Sequence, residues 1–169
     1  MILRGGYLKA QREAAEAAAR AKLPALQAAD PSIQNIEVAA PMVTLWTDVT
    51  KAKDIAGNID IAADEARTVG KALQRGVSDD LKGVEIVRFV FRAEAINRFG
   101  HDVMATLMTV DFPTKDLKAA DYAKLSRGQV LALSYSAKLG APGAYDARDA
   151  WCADPARSNA KFCAEMQAQ

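Results

Sequence analysis

The sequence predicts an α+β fold with an N-terminal Ala-rich helix and a small antiparallel sheet built on a hairpin at residues 84–112. A helix at residues 59–75 and further helical segments near the C-terminus are expected to pack on this sheet. Two runs of alternating apolar and polar residues flank a Gly-containing loop, which is typical of a β-hairpin. Residues 59–75 repeat apolar side chains at helical spacing, and residues 7–23 consist largely of strong helix formers.

The hairpin is the best-specified element. In its first run the side chains on one face are Val87, Phe89, Phe91 and Ala93, and those on the other are Ile86, Arg88, Val90 and Arg92. Residues 97–100 form the loop, with Gly100 where a positive φ is easiest. If Ile96 faces His101, the predicted pairs are Ala93 with Met104, Phe91 with Thr106, Phe89 with Met108 and Val87 with Val110. A slip of one residue would turn apolar side chains toward solvent, so the register should be strongly set.

Three stretches divide the chain. Residues 1–30 are the lead helix, which Pro24 ends or kinks and which the pair Asp30-Pro31 terminates. Residues 31–140 form the core domain, and residues 141–169 form a C-terminal tail.

Within the core domain, residues 32–40 alternate as a strand, and Pro41 favours an edge position for it. The run 42–49 is compatible with either strand or helix, and its Trp46 is interpreted as a core or rim aromatic. A short helix is expected at residues 50–55, and the helix at residues 59–75 should cover the apolar face of the hairpin.

Beyond the hairpin, residues 115–125 have the spacing of a short helix. Residues 129–139 are predicted as a buried helix in preference to a last strand, and the tail as helical in pieces or pinned by its cysteines.

Charge and hydropathy exclude several classes of protein. Twenty-two basic and twenty-one acidic residues leave a net charge near zero, which disfavours nucleic acid or an anionic membrane as the partner. No apolar run approaches the roughly 18 residues of a transmembrane helix. The first residues lack the apolar core of a signal peptide, so either the protein is cytoplasmic or a leader or anchor lay upstream of Met1.

The cysteines favour a compartment outside the cytoplasm. Cys152 and Cys163 lie in one short polar segment, where a disulfide would close a small loop and gain about 3 kcal/mol. A disulfide implies an oxidising environment, so we predict a periplasmic or secreted protein. The alternative is two free thiols in the cytoplasm.

No pattern of residues predicts catalysis, a metal site or a cofactor. His101, the single histidine, lies in the hairpin loop next to Asp102, and the two cysteines lack the spacing of a zinc site. Glycines 140 and 143 lack the spacing and the lysine of a phosphate-binding loop. Asp60 and Asp64 of the 59–75 helix, four residues apart, are interpreted as a solvated helix face, and Glu65 lies on the same helix.

One surface is a candidate for binding a partner. It is formed by Arg88, Val90, Arg92 and Leu107 on the back of the hairpin, with Arg98 near its tip. Guanidinium groups around an apolar pair suit an acidic peptide or protein. The alternative is local pairing, of Arg88 with Asp111 and of Arg92 with Glu94 or Glu85.

Three functions remain after these exclusions. The first is a non-enzymatic interaction or assembly domain outside the cytoplasm, such as an accessory subunit of a membrane-associated complex with a protein partner. The second is a carrier of a small apolar ligand, held in a pocket between the 59–75 helix and the Phe89/Phe91 face. The third is an enzyme that uses Asp and Glu side chains.

Overall fold

The computed structural model describes residues 26–27, 30–49, 54–76, 81, 83–140 and 142–167. Within these ranges it contains a five-stranded sheet and five helices, which confirms the α+β class. The strands are β1 (Ile33–Ala39), β2 (Met42–Asp48), β3 (Ile86–Ile96), β4 (Asp102–Pro113) and β5 (Ser136–Leu139). The helices are α1 (Gly57–Gln74), α2 (Thr114–Ala119), α3 (Arg127–Leu131), α4 (Pro142–Ala153) and α5 (Ala160–Gln167).

The sheet has the order β1-β2-β3-β4-β5 and is mixed. The pairs β1–β2, β3–β4 and β4–β5 are antiparallel, whereas β2 and β3 are parallel, so the prediction of an antiparallel sheet is wrong at this pair. Parallel neighbours need a long crossover, and α1 supplies it between β2 and β3. β1 lies at the edge, as predicted, and the turn to β2 contains the cis peptide Ala40-Pro41.

The β3–β4 hairpin is confirmed, but its predicted register is wrong. Ile96 pairs with Asp102 and not with His101, so the loop is one residue longer than expected. The side-chain oxygen of Asn97 accepts hydrogen bonds from the backbone N–H groups of Phe99 (2.9 Å) and His101 (3.1 Å). The φ of Gly100 is positive, as predicted, and measures 78°.

A β-bulge in β4 compensates for the longer loop. Arg92 pairs with Thr106 and Phe91 with Met108, which leaves Leu107 as the extra residue. Without this bulge, the shifted register would place Asp111 in the core row of β4. The bulge therefore restores the coincidence of apolar faces, with the pairs Phe91–Met108, Phe89–Val110 and Val87–Phe112.

One face of the sheet belongs to the hydrophobic core. Along β2 and β3 the side chains alternate between buried and half-buried, and the buried set shares a single core cluster with α1. Phe89 stacks on Phe91 at 5.2 Å between ring centroids and meets the ring of Phe112 edge-on at 5.6 Å. The core residues contributed by α1 are Ile59, Ala62, Ala63, Ala66, Val69, Ala72 and Leu73.

The Phe89/Phe91 face is filled. Both rings are fully buried, as are Ala62, Ala63 and Ala66 opposite them on α1. A ligand-sized cavity would leave accessible area on the side chains that line it. The pocket predicted between helix and hairpin is therefore absent from this described part of the core.

The C-terminal third combines helix and strand. Residues 129–139 do not form one helix: the chain leaves α3 at Leu131 and returns as β5 alongside β4. The short helix predicted at residues 115–125 is present only in part, because α2 ends at Ala119. In the tail, α4 and α5 are joined by the Cys152–Cys163 disulfide, with 6.0 Å between the Cα atoms.

Two predicted elements cannot be compared with the structure. The lead helix at residues 7–23 and residues 50–53 of the short helix lie outside the described residues. No helix in the described ranges has both the length and the apolar character of a membrane span.

Candidate functional site: the outer face of the sheet

The outer face of the sheet is the surface opposite the core. The pairing register places its residues in rows that run across the strands. One row contains Glu37, Thr44, Arg88 and Asp111; a second contains Asn35, Trp46, Val90 and Thr109; a third contains Asp48, Arg92 and Thr106. Most of these side chains are only half-buried, whereas the alternate residues of β2 and β3, which face the core, are fully buried.

A concavity of about 520 Å³ lies on this face. It lies over β1, β2, β3 and β4 and includes the turn at Pro41. Its lining residues are Glu37, Ala39, Pro41, Met42, Thr44, Trp46, Arg88, Val90 and Thr109. We call these residues the outer concavity.

The charge of Arg88 is neutralised within the outer face. Its Nε and Nη2 atoms donate hydrogen bonds of 2.7 and 2.8 Å to the two carboxylate oxygens of Asp111, directly opposite on β4. These hydrogen bonds raise the pKa of Arg88 above its ordinary value. The pairing predicted from the sequence is therefore confirmed, and Arg88 is held by two bonds in a fixed orientation at the edge of the concavity.

Arg92 is also paired, but not with a predicted partner. Its Nε and Nη2 lie 3.0 and 2.8 Å from Oδ1 of Asp48, at the end of β2. Glu94 and Glu85, the partners predicted from sequence, lie close to Arg92 along the hairpin. The parallel pairing of β2 with β3 brings Asp48 directly beside Arg92.

The structure separates the five residues predicted as one binding surface. Arg88, Val90 and Arg92 share the outer face, as expected. Leu107 is 5% exposed and belongs to the core cluster, so its predicted place on that face is wrong. The cause is the bulge, which places Leu107 beside Met108 on the inner side. Arg98 lies at the hairpin tip, with its guanidinium 4.7 Å from the ring centroid of Phe99.

Sequence reasoning missed most of the apolar lining of the concavity. Trp46 and Met42 belong to it because they alternate with the buried Val43 and Leu45 along β2. This alternation was visible in the run 42–49, but without the neighbouring strand nothing assigned a face to it.

The acids of α1 do not form one solvated face. Asp64 is half-exposed and binds Arg127 through a bidentate ion pair. Asp60 is buried, where it accepts a hydrogen bond of 3.0 Å from the indole N–H of Trp151 and pairs with Arg157 at 3.2 Å. The predicted solvated face is therefore right for Asp64 and wrong for Asp60.

Glu65 is the most perturbed acid of this helix. It is 6% exposed, and its Oε2 atom has no hydrogen-bond partner within the described residues. Burial raises the pKa of Glu65 to about 8, and the nearby carboxylates of Asp30 and Asp48 add to the rise, while the hydroxyls of Thr47 and Ser32 oppose it. The carboxyl is therefore mainly protonated at neutral pH inside the protein.

The outer concavity is suited to noncovalent recognition. Its cation is already paired, its hydroxyls come from Thr44 and Thr109, and Glu37 is exposed at its rim. His101, the usual proton-transfer residue, is exposed in the hairpin loop and does not line it. Nowhere in the described ranges do three or more His, Cys, Asp or Glu residues come together as metal ligands.

Comparison with known proteins yields no relatives: no family model, curated protein or solved structure matches this chain significantly.

Proposed function

We propose that the protein is a non-enzymatic interaction or assembly domain that works outside the cytoplasm and binds a protein partner through the outer face of its sheet. The observation that carries this proposal is the half-exposed apolar pair Trp46 and Val90, which lie side by side between two internally neutralised ion pairs. Met42 extends this apolar surface beyond the Arg88–Asp111 pair. Protein interfaces combine such an apolar, often aromatic centre with a polar rim.

The paired arginines favour a preorganised protein-binding surface over one that binds acidic peptides through free cationic groups. Arg88 and Arg92 already have carboxylate partners, so a ligand carboxylate would have to displace Asp111 or Asp48. The two ion pairs hold the guanidinium groups at the edge of the apolar centre, where their planes can contact a partner without becoming unpaired. Binding energy is then expected to come mainly from Trp46 and its apolar neighbours.

The disulfide supports a location outside the cytoplasm. Cys152 and Cys163 are bonded, and no other cysteine exists in the chain. Stable disulfides form in oxidising environments. Mass spectrometry of native protein after thiol alkylation should therefore find both cysteines unmodified, and two alkylated thiols would contradict the extracytoplasmic assignment.

A photo-crosslinking amino acid at Thr44 tests the interface. Thr44 lines the concavity, whereas Lys71 is an exposed residue of α1 in the helical layer and provides the matched control position. We expect a discrete crosslinked species from Thr44 and none from Lys71. The crosslinked protein, once identified and purified, should bind the wild type, and Trp46→Ala should weaken binding at least about tenfold, as expected of a central aromatic. Equal crosslinking at both positions, or unchanged affinity of Trp46→Ala, would contradict the proposal.

The volume of the outer concavity favours a second candidate, the carrier of a small apolar ligand. About 520 Å³ falls within the range of small-molecule sites, although this site lies on the opposite face from the pocket predicted by sequence. Titration with 1-anilinonaphthalene-8-sulfonate should then give saturable binding that Trp46→Ala abolishes. Absence of saturable binding, together with a crosslinked protein at Thr44, would leave only the interaction domain.

A further inference from the structure

The β3–β4 hairpin extends beyond the rest of the sheet. β2 pairs with β3 only as far as Arg92, and β5 pairs with β4 only from Met108 to Asp111. Residues 93–96 and 102–105 pair only with each other among the described strands. We call residues 93–105 the hairpin arm.

The hairpin arm carries a concentration of exposed apolar side chains. Ile96 is 72% exposed and Phe99 68%, and Val103 and Met104 are each 38% exposed. These four residues are more than half of the large apolar side chains that are exposed in the described part of the chain. Val103 and Met104 are successive residues of β4 and point to opposite faces of the arm, so its exposed apolar side chains lie on both faces. Exposed apolar groups concentrated in one element mark interaction sites.

The hairpin arm and the outer concavity are complementary in shape and charge. The arm ends in a convex apolar tip, Phe99, with the cation of Arg98 stacked on its ring. The concavity offers Met42, Trp46 and Val90 and has the acid Glu37 exposed at its rim. Neither Arg98 nor Glu37 has an ion-pair partner within the described residues, whereas the other charge of the concavity, Arg88, is already bound to Asp111.

The tip cannot reach the concavity of its own chain. Val90 and Ile96 lie on the same strand, six residues apart, which separates them by about 20 Å along a rigid hairpin, and Phe99 lies farther still. Contact between the two features therefore requires a second molecule.

We propose that the partner of the outer concavity is a second copy of this chain, whose hairpin tip inserts Phe99 beside Trp46 and places Arg98 against Glu37. The proposal rests on the interaction function proposed above and names the occupant of that surface. Because tip and concavity are different surfaces, the contact is heterologous and each molecule has one of each. Copies therefore associate head to tail, and they form a ring if the rotation closes or a filament if it does not.

Mixing two defective variants tests this arrangement. Sedimentation velocity should show that the average molar mass of the wild type increases as its concentration is raised from micromolar to millimolar. Phe99→Asp and Trp46→Ala should each remain monomeric over the same range. An equimolar mixture of the two variants should form a dimer and stop there, because one chain provides an intact concavity and the other an intact tip. Tyr145→Asp, which changes an exposed aromatic residue on α4 away from both surfaces, should assemble like the wild type.

A charge exchange tests the predicted pair. Arg98→Glu should weaken self-association at least about tenfold, and adding Glu37→Arg in the same chain should restore it. Circular dichroism of each variant should match the wild type, since the tip substitutions lie in an exposed loop.

Wild-type protein that remains monomeric at every concentration would overturn the self-docking proposal. So would a mixture of variants that does not associate, which would indicate that identical surfaces meet or that the association uses another face. If the wild type is monomeric while the crosslinker at Thr44 still captures a different protein, and Trp46→Ala weakens binding of that protein, the proposed interaction function stands and only self-docking fails.

Discussion

Glu65 makes the stability of this protein dependent on pH. Its pKa is raised from 4.5 to about 8 because burial in the core region of α1 disfavours the charged form. A carboxyl group with a raised pKa binds its proton more tightly in the folded than in the unfolded chain. The contribution of protonated Glu65 to the free energy of unfolding is therefore full below about pH 4.5. It declines as pH rises from about 4.5 to about 8 and is lost above about pH 8.

The size of this effect follows from the two pKa values. Since one pKa unit corresponds to about 1.4 kcal/mol, the rise from 4.5 to about 8 corresponds to at most about 5 kcal/mol of unfolding free energy. Small domains have only about 5–15 kcal/mol in total. Ionisation of this one carboxyl is therefore expected to be visible in any equilibrium unfolding measurement.

Glu65→Gln replaces the carboxyl with a neutral group of similar shape. Urea unfolding at about pH 5, 7 and 9 should show nearly equal stability of variant and wild type at the lowest pH and greater stability of the variant at the highest. Glu94→Gln, which alters an exposed glutamate on β3, should keep the wild-type dependence on pH. If Glu65→Gln loses stability with pH as steeply as the wild type does, Glu65 is not the group responsible and the reasoning is refuted.

Two further substitutions probe the packing and the covalent link. Gly70→Ala should lower the free energy of unfolding by about 1–3 kcal/mol despite the better helix propensity of Ala, because the new Cβ would overlap the hydroxyl group of Tyr122. In a Tyr122→Ala background the same change should be neutral or stabilising, and an equal loss in both backgrounds in urea unfolding would contradict the steric explanation. Replacing Cys152 and Cys163 with Ser should cost about 2–4 kcal/mol in thermal unfolding. Dithiothreitol should produce the same loss in the wild type and none in the variant, and a wild type insensitive to reduction would show that the disulfide contributes nothing.

The candidate site was only partly predictable. The alternation along β3 correctly placed Arg88, Val90 and Arg92 on one surface, because residues two apart on a strand must share a face. It could not place Leu107, since the bulge in β4 interrupts the alternation at that residue, while Thr109 and Asp111 lie on the outer face. The position of that bulge depends on the length of the hairpin loop and on which side chains the core must accept.

The helical acids show the same limit. Two acids four residues apart, such as Asp60 and Asp64, are expected on a solvated face when the helix is considered alone. In the folded chain Trp151 approaches Asp60 from α4 and Thr47 approaches Glu65 from β2, so Asp60 and Glu65 are both buried. The spacing of residues along the helix does not indicate which distant residues will pack against it.

The amino-acid sequence alone determined the features that depend on neighbours along the chain: the α+β class, the hairpin and its Gly100 turn, the edge position of β1, and two cysteines close enough to bond. Tertiary structure decided the parallel pairing of β2 with β3, and with it the Arg92–Asp48 pair, the outer concavity and the extent of the hairpin arm. The physical reason is that backbone alternation specifies which side chains share a face of a strand. Which strands become neighbours depends instead on the total apolar surface that the chain can bury.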